Sequence, residues 1–135
     1  MTRRSRLVLD TSAYARLRAG STAVLEAVTE AEFVLLPVIV LGELEAGFRG
    51  GRQTTENRAM LAEFLAEPFS AVLPVTEDVA RIYGQLFVEL RRAGTPVATN
   101  DIWIAACTIG SGASLLTFDG DFKHFSRLDC TILSA

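Results

Sequence analysis

Short apolar runs alternate along the chain with longer stretches in which apolar residues recur every three or four positions, the pattern of strands interleaved with amphipathic helices. The first run, Arg6-Leu7-Val8-Leu9-Asp10, predicts a strand ending at Asp10. Thr11 or Ser12 is then expected to cap a helix carrying Tyr14 and Leu17. A second helix, with Val24, Leu25 and Val28 on one face, precedes a buried strand Phe33-Val34-Leu35-Leu36 that Pro37 stops. Pro37 suits the first turn of the next helix, which runs from Val38 to Phe48 and buries Val40, Leu44 and Phe48 while Glu43 and Gly47 share another stripe.

An amphipathic helix is expected over residues 53–66, and a short strand over Ala71-Val72-Leu73-Pro74-Val75. Thr76, Glu77 and Asp78 open a long helix that ends before Gly94 and Pro96. Thr99 or Asn100 is expected to cap a helix over 101–109; the strand Ser114-Leu115-Leu116-Thr117-Phe118, a turn at Asp119-Gly120-Asp121 and a last strand over 131–133 follow. Four or five strands alternating with helices predict an α/β fold: a three-layer α/β/α sandwich around a central, mainly parallel sheet. No repeat, low-complexity tract or linker divides the 135 residues, so one domain is expected.

Half of the residues are hydrophobic, but the longest apolar stretch, Phe33 to Leu41, is broken by Pro37 and falls far short of the roughly 20 residues that span a bilayer. Basic residues open the chain, yet Leu7-Val8-Leu9 is too short for the apolar centre of a secretion signal, and a cytoplasmic location is expected. Cys107 lies in an apolar helical run, neither it nor Cys130 has a metal-ligand neighbour, and both read as reduced packing residues. The net charge of −3 provides no global positive field for a polyanion, so any nucleic acid must be held locally. Twelve arginines against one lysine favour forked phosphate contacts, although codon usage explains that ratio equally well.

The pattern sets Asp10, Glu43, Asp101 and Asp119 at strand ends or in helices near their starts, and open parallel sheets bind ligands beyond the carboxyl ends of their strands. Taken singly, each acid has a plainer explanation as a cap, a turn residue or a solvated charge. Gly42 and Gly47 beside Glu43 favour a crowded position against another backbone. Gathered together, four carboxylates require protonation or a divalent cation, and hard oxygen ligands select Mg2+ or Mn2+.

Other chemistries lack their parts. His124 is the only histidine and sits in an expected surface turn, so paired-histidine ribonuclease and zinc-protease sites are absent. Cys107 has no positive, accessible setting to make it a nucleophile, and no glycine-rich phosphate loop ends in Lys-Ser or Lys-Thr.

Leu9-Asp10-Thr11-Ser12, Gly42-Glu43-Leu44, Asn100-Asp101-Ile102-Trp103-Ile104-Ala105-Ala106 and Leu116-Thr117-Phe118-Asp119-Gly120-Asp121-Phe122 together resemble the PIN domain and, within it, the VapC toxins of bacterial toxin–antitoxin pairs. The resemblance covers nearly the whole chain. It implies an Mg2+- or Mn2+-dependent endoribonuclease that hydrolyses RNA with metal-activated water, is commonly dimeric, and is inhibited by a small antitoxin protein of the VapB type whose C-terminal segment covers the acidic pocket. By motif position Asp10, Glu43, Asp101 and Asp119 are the metal-site and catalytic acids. Thr11, Ser12, Asn100 and Thr117 are polar support, and Asp121 is an auxiliary acid or a turn residue.

An acidic pocket repels RNA, so arginines must offset it at the rim; Arg16, Arg18, Arg49 and Arg52 are nearest the motifs in sequence. Two other readings compete. A Mg2+-binding phosphoacceptor domain needs adjacent acids after the first strand and a lysine near the end of the last, whereas Asp10 is followed by Thr11 and Ser12, and Lys123 trails a turn. A catalytically silent binding module of the same fold would keep four acids at a cost without a metal to hold them together.

Overall fold

The computed structural model describes residues 6–134. Five strands, β1 (Arg6–Leu9), β2 (Phe33–Pro37), β3 (Ser70–Leu73), β4 (Ser114–Thr117) and β5 (Cys130–Ile132), form one sheet in the order β3-β2-β1-β4-β5. Every pairing is parallel. Six α-helices flank the sheet: α1 (Thr11–Arg18), α2 (Thr22–Glu30), α3 (Val38–Arg49), α4 (Thr54–Ala66), α5 (Glu77–Ala93) and α6 (Thr99–Gly110). The expected three-layer α/β/α architecture is present.

Helices on both sides explain why the central strands are unbroken apolar runs rather than alternating ones. Val8 and Leu9 of β1, Val34 and Leu36 of β2, and Leu115 and Leu116 of β4 are all buried, with Val8 in register with Leu35 on one side and Leu115 on the other. The chain winds from β1 outward to β3, then returns to lay β4 on the opposite side of β1. Connections therefore diverge between β1 and β4, leaving a crevice beyond their carboxyl ends. No helix among the described residues is long and apolar enough to cross a membrane.

Several local expectations are corrected. The cap of α1 is neither Thr11 nor Ser12: Asp10 takes it, its carboxylate accepting from the Ala13 backbone N–H, because its extended backbone aims the side chain back at the first turn. Neither Thr99 nor Asn100 caps α6. Ala98 precedes the helix, no side chain caps it, and both polar residues lie inside its first turn. Pro37 is the last residue of β2 and stands immediately before α3 rather than within it.

The third strand runs from Ser70 to Leu73 and stops before Pro74, which has no N–H for the ladder, leaving Val75 outside it. The turn at Asp119-Gly120-Asp121 opens a 3-10 helix over Gly120–His124, which places His124 at its end. Gly42 and Gly47 face open space, where an added methyl group would meet nothing, so they serve no close backbone approach. Gly94 does answer a geometric need: it ends α5 with φ near +70°, a conformation that side chains disfavour.

Candidate active site

Asp10 follows β1 and Asp119 follows β4, so the pairing of those strands brings two carboxylates from opposite ends of the chain to one crevice. Asp101 enters from the first turn of α6, and Glu43 from the sixth position of α3. Asp121 is added by the 3-10 helix after β4. Oxygens of Asp101, Asp119 and Asp121 lie within 4.8 Å of one another. Asp10 and Glu43 are near enough for their charges to act on Asp101. All four acids predicted from the sequence thus converge, together with Asp121.

The protein's own hydrogen bonds sort these acids into two kinds. Asp10, only 4 % exposed, is engaged on both oxygens: Oδ1 accepts from Ser12 Oγ at 2.7 Å and from the Ala13 N–H at 2.8 Å, and Oδ2 from Thr117 Oγ1 at 2.5 Å. Both hydroxyls also serve β4. Thr117 Oγ1 accepts from the Asp119 N–H at 2.9 Å, and Ser12 Oγ from the Phe118 N–H at 3.0 Å, so the network that orients Asp10 also fixes the backbone presenting Asp119.

Glu43 is clamped from two sides. Thr11 Oγ1 donates to Oε1 at 2.5 Å, and Asn100 Nδ2 donates to Oε2 at 3.0 Å. Thr11, Ser12, Asn100 and Thr117 therefore all bond carboxylates of the cluster. Asp121 donates its N–H to Asp119 Oδ1 at 2.9 Å, and its carboxylate joins the close trio.

Crowding raises proton affinity. Burial first, then the charges of Asp119, Glu43, Asp10 and Asp121, push the Asp101 carboxyl up to about 6 from an ordinary 3.8. Burial also raises Asp10, against three hydrogen bonds that favour its ionised form. Among the described residues, no lysine or arginine forms an ion pair with any of the five acids, although exposed carboxylates elsewhere do have arginine partners.

The donor set suits a hard divalent ion. It consists entirely of oxygen, it carries excess negative charge, and its closest three oxygens are spaced nearly as required. Ligands at about 2.1 Å from magnesium stand at most about 4.2 Å apart, so small side-chain rotations close the trio onto an ion.

The four candidate rim arginines differ in setting. Arg16, half-buried on α1, places its guanidinium 4.5 Å from the centroid of the Phe118 ring. Arg18 is exposed and stacks over Tyr14 and Phe64 instead. Arg49 is paired with Glu45 at 2.7 Å, and Arg52 is fully on the surface beyond α3. The sequence offered Arg16 only as one of four equal candidates, and Phe118, whose ring receives it, carried no signal beyond its position between Thr117 and Asp119.

A parallel α/β domain with a carboxylate pocket at the point where its strand order diverges defines the class, and known proteins narrow it. The sequence profile of the PIN domain matches residues 7–128. Ribonuclease VapC5 of Mycobacterium tuberculosis is 31% identical over 115 residues, covering 85% of this chain and 84% of the relative. The solved VapBC-5 structure from the same organism, a member of the VapBC family of toxin-antitoxin systems, superposes with a TM-score of 0.73 at 31% identity, covering 97% of this chain and 99% of that one. DNA-bound VapBC from Salmonella typhimurium has the same fold, with a TM-score of 0.84 at 23% identity over 95% of this chain and 98% of that one. The chain belongs to the PIN domain family and, within it, to the VapC ribonucleases of toxin-antitoxin systems.

Proposed function

We propose that this chain is an endoribonuclease toxin that uses Mg2+ or Mn2+ to hydrolyse RNA phosphodiester bonds. The observation that carries this reading is the convergence of five carboxylates, without a counter-charge from any described residue, in the crevice between β1 and β4. Asp101, Asp119 and Asp121 would hold the cation, with Asp10 adjoining. A bound divalent ion there supplies activation of water and neutralisation of charge on the phosphate oxygens.

The chain's own residues set the geometry. Ser12 and Thr117 hold Asp10 in one orientation, and Thr11 and Asn100 hold Glu43, which suits Glu43 to accept a proton or to orient a water. Single-stranded or looped RNA is the substrate class, since a duplex would keep its backbone away from a recessed pocket.

The same reading includes a small VapB-type antitoxin that covers the acidic pocket, action in the cytoplasm, and pairing of two copies. The test is incubation of the partner-free protein with total RNA, with and without manganese, followed by mapping of fragment ends. Cleavage that requires the metal and disappears in Asp101→Asn supports the reading; cleavage by both proteins at one rate refutes it.

A further inference from the structure

The backbone of Phe118 is held by the site itself: it lies between Thr117 and Asp119, and its N–H donates to Ser12 Oγ. Arg16 stands four residues after Ser12, hence on the same side of α1, and lays its guanidinium over the Phe118 ring. The other arginines near the motifs are engaged or lie loose on the surface. Arg49 and Arg58 are bonded to Glu45, Arg18 lies over Tyr14 and Phe64, and Arg52 is exposed.

Arg16 alone combines partial burial, a fixed aromatic seat and free donors. Among the described residues no acceptor meets its N–H groups, and it pairs with none of the nearby carboxylates. Stacking on a ring restrains the guanidinium while leaving its N–H edge open for the in-plane, two-pronged contact that phosphate oxygens accept. A polyanion entering a pocket of five acids needs such a contact beside it.

We propose that Arg16, seated on Phe118, grips a backbone phosphate adjacent to the one that is cut, and so determines the register in which the RNA strand lies across the acids. This inference rests on the ribonuclease reading. Phe118 acts here as a positioning residue and Arg16 as the contact.

The test compares the wild type with Arg16→Gln, Arg16→Lys and Phe118→Leu, on a short single-stranded RNA that the wild type cuts. Arg16→Gln is expected to raise KM by about tenfold, the loss of one charge-assisted contact, and to reduce the salt dependence of kcat/KM by about one phosphate's worth of slope. Arg16→Lys should keep the salt slope but recover only part of KM. Phe118→Leu should also raise KM while leaving the charge in place.

All three variants should retain the wild-type rise in melting temperature on adding Mn2+, because the acids are untouched. Unchanged KM and salt slope in Arg16→Gln, in an enzyme that still cuts, overturn the clamp alone and assign Arg16 to another partner. A wild-type protein that takes up Mn2+ but neither binds nor cuts any RNA overturns the nuclease reading, and the clamp with it.

Discussion

Glu43 and Glu45 stand two residues apart on α3 and face opposite worlds. Glu45 points outward and is bonded by Arg49 of its own helix and Arg58 of α4; the Arg58 hydrogen bond above all holds its carboxyl down at about 2. Glu43 turns inward, where only neutral donors, Thr11 and Asn100, reach it and its charge acts on Asp101. Two positions of a helix separate side chains by about 200°, enough to place one carboxylate in each setting. The outer cluster is complete as it stands. No described lysine or arginine balances the inner one, and an unbalanced cluster at the ends of parallel strands is where a ligand is expected.

The largest effect that contrast predicts falls on the inner acids. Asp101→Asn or Asp119→Asn should lower RNA cleavage by on the order of 1000-fold and abolish the rise in melting temperature that Mg2+ or Mn2+ gives the wild type. Without metal, each variant should melt at or above the wild-type temperature, since a repelling charge has gone. A metal-free protein that loses stability on these changes would show that the acids serve the fold rather than an ion.

Loosening the clamp on Glu43 should act more gently. Asn100→Ala or Thr11→Val is expected to cost about 10- to 100-fold in activity, measured as kcat/KM, with the metal-induced rise largely retained. The pH response is a third measure. Because Asp101 in the fold keeps its proton up to about 6 whereas an unfolded aspartate releases it near 3.8, the native state binds more protons between those values. Stability of the metal-free protein should therefore fall as pH rises through that window.

Glu45 works the other way at the acid end, because a carboxyl held down at about 2 loses its stabilisation as pH falls below the ordinary 4.5, so the fall due to Asp101 is clearest above about pH 5, where Glu45 is ionised in both states. Melting curves with a chelator across pH 4 to 7 check the slope, which Asp101→Asn should flatten. Saturating Mg2+ should reverse it, since binding requires the ionised form. The smallest effect belongs to Glu45→Gln, which should leave cleavage and the metal response as they are. A loss of activity there would erase the distinction between the two clusters.

Much of this was legible in the chain. Apolar runs located the strands, and the winding rule for parallel sheets then brought Asp10 and Asp119 to one crevice without coordinates. Caps were harder to read, because Thr11 and Ser12 are as competent as Asp10 and the choice depended on which backbone was extended. The clamp on Glu43 could be foreseen only as polar support: it needs the rotation of α6 relative to α3, which periodicity does not give. Gly42 and Gly47 misled for a related reason, since a missing side chain indicates room but not which neighbour uses it. The seat of Arg16 on Phe118 depends on the angle between α1 and the end of β4, and no local pattern encodes it.

The hydrogen bond from Thr117 to Asp10 joins residues 107 positions apart. During translation the first of these leaves the ribosome long before the second, and β1 must wait for its neighbour β4 before a cutting centre exists. A growing chain therefore carries isolated carboxylates that, on the ribonuclease reading proposed above, cannot yet act on RNA. The acidic site is whole only once Asp119 has emerged and β4 has paired with β1.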